Sequence, residues 1–131
     1  MFYTRSVPEL LKTVLSNLAA LYLKMGSAAD ALNACEEAFS ASKKYSLSSD
    51  SSTNCKLLFR RGSAHLLLKD FDLAVIDLEA AVALSPPSPS PSADSALTAK
   101  LREAKKSVAL LLSLPSLVIN YCFGVLLGTL S

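Results

Sequence analysis

The sequence has few cysteines and little net charge, and both features exclude classes of protein. Its three cysteines, Cys35, Cys55 and Cys122, are far apart and form no CxxC or Cys/His spacing. An odd, scattered set of this kind fits a reducing compartment and argues against a disulfide framework. The net charge is only +2 over 131 residues, which is too small to suggest a nucleic-acid-binding protein.

The residue patterns of common catalytic and cofactor sites are also missing. The sequence contains a single histidine, His65, and no Ser/His/Asp set, paired-carboxylate arrangement, phosphate-binding loop or metal-ligand spacing. We therefore expect no enzymatic activity, no cofactor and no metal ion. Without a second histidine or an acid–base partner, His65 is expected to be a packed core residue.

β-Branched residues are sparse, while Ala, Leu and Ser dominate, and this composition predicts an all-α chain with one core. Apolar spacing predicts two helices within residues 9–42, separated at Gly26, a natural C-cap. A third helix is predicted over residues 55–69 and a fourth over 71–84. The Ser-rich stretch 43–54 is expected to be a loop and the Pro/Ser stretch 86–94 a linker, before a polar capping helix at 95–106.

The two helix pairs repeat with the same internal spacing. In the first unit, Leu15, Leu18, Ala19 and Tyr22 are followed by Ala31, Cys35 and Ala38. The second unit lies 43 residues later, where Leu58, Arg61, Gly62 and His65 are followed by Ala74, Leu78 and Ala81. Small residues at these positions would let two antiparallel helices pack closely, and the large residues would fill the space between one pair and the next.

This spacing resembles the tetratricopeptide repeat, whose pattern is W-x2-L-G-x2-Y, then A-x3-F, then P. The second unit is the better match, since it has Gly62, Phe71, Ala74 and Pro86, while the first has Cys35 where an aromatic residue is usual. The resemblance implies an all-α solenoid with two repeats over residues 9–85. Residues 1–8 would be the remnant of a preceding repeat, so the array is expected to be truncated at its N-terminus.

Within that family, three polar residues resemble the carboxylate clamp of co-chaperones. Asn17 lies two residues before Ala19, and Arg60 lies two residues before Gly62, so they occupy equivalent places on the groove-lining helices. Lys56 shares a face with Arg60 through i,i+4 spacing. The resemblance implies that Asn17, Lys56 and Arg60 bind the acidic C-terminal tail of heat-shock chaperones of the seventy- and ninety-kilodalton classes. The alternative is that these side chains form an ordinary solvated face.

Other features of the sequence leave several functions open. The period exceeds the usual 34 residues or so by about nine, and this excess and the "RRG" sequence resemble the C-terminal repeats of dynein axonemal assembly factors. Large immunophilins carry similar repeats after a prolyl isomerase domain. The chain could therefore also be a general scaffold that binds an internal peptide or helix, or the regulatory repeat region of an isomerase. Arg61 is expected to pair with an acid such as Asp77 rather than to bind ligand.

The last part of the chain differs from the rest in carrying no charge. All 24 charged residues lie between Arg5 and Lys106, and residues 107–131 are mostly apolar. This tail is long enough for a membrane anchor, with Lys105 and Lys106 on the cytosolic side. Pro115 and Asn120 argue against a span, and the tail could instead fold back on the groove or be a non-native terminus. The expected location is the cytoplasm, with or without attachment to a membrane.

Overall fold

The computed structural model describes residues 6–47, 50–85 and 96–113, and all the regular structure in these residues is helical. The first four helices are α1 (Val7–Lys24), α2 (Ala28–Lys44), α3 (Ser51–Leu67) and α4 (Phe71–Leu84). A fifth helix, α5, covers residues 96–113. The prediction of an all-α chain is confirmed.

The helices form two hairpins, in which α1 packs on α2 and α3 packs on α4, and α3 also contacts both helices of the first hairpin. The small residues predicted at the close approaches are all buried: Ala31, Ala38, Gly62, Ala74 and Ala81. At Gly62 a Cβ atom would lie 2.8 Å from Leu78 Cγ and 3.3 Å from Asp77 Cβ. The backbone of α3 can approach α4 this closely because Gly62 has no side chain.

Among the described residues, two apolar clusters form most of the core, and α3 contributes to both. The first cluster joins α1, α2 and α3 through Leu15, Ala19, Ala34, Cys35, Ala38 and Leu57. The second joins α3, α4 and α5 through Ala74, Leu78, Ala81, Leu97 and Ala104, with Leu58, Phe59 and Leu66 packed against them. Each helix pair therefore buries its apolar face against the next element along the chain, as repeat architectures do.

Helices α1, α2 and α3 are each followed by a residue with positive φ. Gly26 has φ +77° and follows α1, and the Ser27 amide donates to the Tyr22 carbonyl at 2.9 Å. This is the C-cap predicted at Gly26, because the left-handed conformation favours glycine. The turns after α2 and α3 place Ser46 (φ 46°) and Lys69 (φ 65°) in the same region. The sequence therefore marks only one of these three similar turns with a glycine.

The Ser-rich stretch 43–54 is shorter as a loop than the sequence predicted. Helix α2 continues to Lys44 and α3 already begins at Ser51, so the prediction that α3 starts at residue 55 was wrong by one helical turn. Asp50 explains the early start, since its carboxylate accepts from the Ser52 amide at 3.2 Å and from the Thr53 hydroxyl at 2.7 Å. An aspartate at this position satisfies amides that have no partner within the helix.

Helix α5 differs from the predicted capping helix in its length. It continues to residue 113 rather than ending at 106, because residues 107–113 contain good helix formers and no Gly or Pro. Within the described residues, none of the helices combines the length and the apolar character needed to cross a bilayer. Residues 1–5, the linker at 86–94 and the tail from 114 onward lie outside the described residues, as does Cys122.

Candidate functional site

Arg60 lies half-buried between the two groove-lining helices, α1 and α3. Its Nη1 donates to the Ser16 carbonyl at 2.7 Å and also to the Ser16 hydroxyl. Burial lowers the pKa of Arg60 from its usual high value, and an arginine remains charged under these conditions. The guanidinium is therefore held against α1 at one nitrogen.

The other two predicted clamp residues, Asn17 and Lys56, are exposed on the same pair of helices. Asn17 directly follows Ser16, the residue that Arg60 contacts, and Lys56 lies one turn before Arg60 on α3. The structure thus brings the three residues to adjacent helices, but no hydrogen bond joins their side chains in the described part of the chain. A ligand could approach Asn17 and Lys56 without displacing a protein group.

Lys12 forms a second polar link between α1 and α3, one that the sequence did not predict. Its Nζ donates to Asn54 Oδ1 at 2.7 Å, and the lysine is 5% exposed. Burial lowers the pKa of Lys12, and the nearby Asp50 partly offsets this effect. A lysine within the apolar stretch "ELLKTVL" was the one sequence signal for such a link, because a buried amine requires a partner.

Arg61, next in sequence to Arg60, pairs with Asp77 as predicted. Its Nε and Nη2 donate to the two Asp77 carboxylate oxygens at 2.8 and 2.7 Å, and Nη1 donates to Glu36 at 3.1 Å. The guanidinium also lies over the Phe39 ring, 4.6 Å from its centroid. The hydrogen bond to Asp77 is the main cause that raises the pKa of Arg61. These contacts to α2 and α4 assign Arg61 to the packing between repeats.

His65 and the described cysteines are also structural. His65 is buried, as predicted, with Nε2 3.8 Å from Asp77 Oδ2. Within the described residues, Cys35 and Cys55 are thiols that are not joined in a disulfide. Burial raises the pKa of Cys35 to about 11, which makes its thiol a poor nucleophile because reactivity requires the thiolate.

A groove of about 410 Å³ lies between α1, α3 and α5, beside Arg60. Its apolar wall includes Leu23, Phe59 and Leu67, and its charged groups are Lys24, Arg60 and Lys100. Sequence reasoning found Arg60 but missed Lys24 and Lys100. Lys100 comes from the capping helix, and only the docking of α5 brings it to the groove. A volume of this size is in the range of about 300–1,000 Å³ found for binding sites.

Comparison with known proteins supports the repeat interpretation. Residues 56–88 match the tetratricopeptide repeat family. Two curated relatives, the peptidyl-prolyl cis-trans isomerases FKBP4 of Mus musculus and Rattus norvegicus, are each 39% identical over 70 residues. The match covers 53% of this chain and 13% of each relative, so the chain spans a small part of their length. No solved structure matches the chain significantly.

The fold and the match together show an all-α arrangement of tetratricopeptide repeats. Repeats of this kind present a groove to other proteins, so the fold indicates a function in protein–protein interaction. The activity in the name of the relatives belongs to those proteins.

Proposed function

We propose that this chain is an adaptor that binds the acidic C-terminal peptide of a partner protein through Asn17, Lys56 and Arg60. The main support for the proposal is the hydrogen bonding of the Arg60 guanidinium. Ser16 holds its Nη1, whereas Nε and Nη2 form no hydrogen bond with the described residues. A carboxylate could therefore accept hydrogen bonds from an arginine that is already oriented, and charge-assisted bonds of this kind are strong.

The neighbouring residues suit the same ligand. Lys56 supplies a second positive charge one turn away, and the exposed amide of Asn17 supplies a neutral donor on the opposite helix. In the co-chaperones that the sequence resembles, these positions bind the tails of heat-shock chaperones of the seventy- and ninety-kilodalton classes.

Titration with a fluorescent acidic peptide, with either a free or an amidated C-terminus, tests the proposal. Charge-assisted hydrogen bonds contribute about 1.5–3 kcal/mol, so Lys56→Ala and Arg60→Ala should each weaken binding of the free peptide roughly tenfold or more. Asn17→Ala should have a smaller effect because the amide carries no net charge. Amidation should reproduce much of the loss, and binding should weaken as salt rises.

Two variants serve as controls for this titration. Lys43→Ala removes an exposed cation from α2 and should leave binding unchanged. Arg60→Lys keeps the charge but loses the planar donor group, so it should bind more weakly than the unmodified protein. Equal affinity for the free and amidated peptides would contradict the proposal.

A general scaffold function is the second candidate, and the apolar wall of the groove favours it. Leu23, Phe59 and Leu67 line the groove, and an internal peptide or helix could pack against them without a terminal carboxylate. Binding that ignores amidation but depends on these side chains would support this function. A regulatory region of an isomerase, suggested by the resemblance to the repeats of large immunophilins, is in line with the name of the two relatives.

A further inference from the structure

The groove beside Arg60 contains two cations that the proposed clamp does not use. Lys24 comes from the end of α1 and Lys100 from α5, and both line the groove together with Arg60. No aspartate or glutamate is among the described residues that line it. Three positive charges that share a small groove repel one another, so the arrangement favours an anionic ligand.

Two lysines of α5, Lys100 and Lys105, differ in whether they form an ion pair within the described residues. Lys105, five residues later on the same helix, pairs with Glu79 of α4 at 2.8 Å. By contrast, neither Lys24 nor Lys100 forms an ion pair with another residue in the described ranges. Lys100 is half-buried, and its apolar stem adds to the wall formed by Leu23, Phe59 and Leu67.

We infer that Lys24 and Lys100, beside Arg60, form a second anion subsite, which binds an acidic side chain of the peptide upstream of its terminal carboxylate. An apolar side chain of the same peptide would lie against Phe59. The inference rests on the proposed function in one respect, since it takes the groove to be a peptide groove. It assigns to the capping helix a role in recognition, in addition to its packing on α4.

The spacing along α1 gives the position of that acidic side chain. Asn17 and Lys24 are seven residues apart, which corresponds to about 10 Å along a helix. An extended peptide covers this distance in about three residues, at roughly 3.3–3.6 Å per residue. We therefore expect the acidic side chain about three residues before the terminal carboxylate.

Two fluorescent peptides with free C-termini test the subsite. They differ only three residues from the C-terminus, where one has Glu and the other has Gln. Lys24→Gln and Lys100→Gln should each weaken binding of the Glu peptide about three- to fivefold, the range for partly exposed ion pairs. Neither substitution should change binding of the Gln peptide. Lys106→Gln, at an exposed position on the same helix, is the matched control and should not affect either peptide.

The outcomes separate this inference from the proposed clamp. If amidation weakens binding but Lys24→Gln and Lys100→Gln do not, the second subsite is wrong and the clamp stands. If these substitutions weaken binding of the Glu peptide while amidation has no effect, the clamp is wrong and the subsite stands. If neither peptide binds, both are wrong. The unfolding midpoint of each variant should match that of the unmodified protein, because both lysines lie at the surface of the groove.

Discussion

At the scale of single residues, the adjacent Arg60 and Arg61 contact different helices. Successive residues differ by about 100° around the axis, so two adjacent arginines point to different neighbours. Arg60 faces α1 and contacts Ser16, whereas Arg61 faces α2 and α4 and contacts Glu36 and Asp77. We propose that Arg60 binds ligand, whereas Arg61 joins the two hairpins through its contacts with α2 and α4.

The two carboxylates that bind Arg61 should differ greatly in their effect on stability. The Asp77 side chain is 6% exposed and the Glu36 side chain is 57% exposed. Asp77→Asn should lower the free energy of unfolding by roughly 2–4 kcal/mol, because it leaves a half-buried arginine without its main partner. Glu36→Gln should change it by less than about 1 kcal/mol, as expected for an exposed pair. Urea unfolding of the two variants measures the difference.

Similar losses in the two variants would contradict this assignment, since they would mean that the exposed bridge is as important as the buried one. The slope of the urea transition should stay unchanged in both variants. A constant slope indicates that the loss lies in stability and not in the compactness of the unfolded chain.

At the scale of helices, the spacing of small residues was sufficient to predict the two hairpins, but not where every helix begins. Ala19 and Gly62 are 43 residues apart, as are Ala31 and Ala74, and this repeated spacing of small residues predicts which positions pack closely in both hairpins. Residues 51–54 could form either part of a Ser-rich loop or the first turn of α3, which the Asp50 side chain caps. Composition favoured the loop, whereas the cap and the packing of the following helix favour the observed start.

The candidate site was less predictable for a related reason. Asn17, Lys56 and Arg60 were predicted from the repeat register together with the resemblance to the carboxylate clamp. Lys24 and Lys100 come together only when α1, α3 and α5 dock, and the spacing within the repeats carries no information on α5. Likewise, the bond from Arg60 to Ser16 spans 44 residues and depends on side-chain conformation.

Gly62 provides a test of helix packing at this scale. A larger side chain would collide with Leu78, which is fully buried. Gly62→Leu should therefore lower the free energy of unfolding by roughly 1–3 kcal/mol through overpacking, despite the better helix propensity of leucine. Thermal or urea unfolding measures the change.

Lys56→Leu, at an exposed position on the same helix, is the control for the Gly62 variant and should stay within about 0.5 kcal/mol of the unmodified protein. Leu78→Ala should reduce the cost of Gly62→Leu by opening space beside it, so the two changes should not be additive. A neutral Gly62→Leu variant would mean that α3 and α4 do not approach each other as described.

At the scale of the whole molecule, α5 links the stability of the last hairpin to the shape of the groove. Leu97 and Ala104 are buried against α4, Leu101 packs beside them, and Lys105 pairs with Glu79. The same helix delivers Lys100 to the groove formed by α1 and α3. If α5 separates from α4, the groove loses one of its three cations and part of its wall, while Asn17, Lys56 and the rest of α1 and α3 keep their positions.

A double-mutant cycle with Leu97→Ala and Lys100→Gln should show this link. Leu97 is 7% exposed, and truncating a buried leucine removes about 2–5 kcal/mol of packing, enough to loosen α5 locally. Leu97→Ala should weaken binding of the Glu peptide about as much as Lys100→Gln does, and the second substitution should add little to the first. Faster amide hydrogen exchange in residues 96–113 would confirm the loosening.

Leu110→Ala, at a position that is 57% exposed on the same helix, should change neither exchange nor binding. If Lys100→Gln weakens binding equally in both backgrounds, the effect of Lys100 does not depend on the packing of Leu97, and the proposed link between the docking of α5 and the groove is wrong.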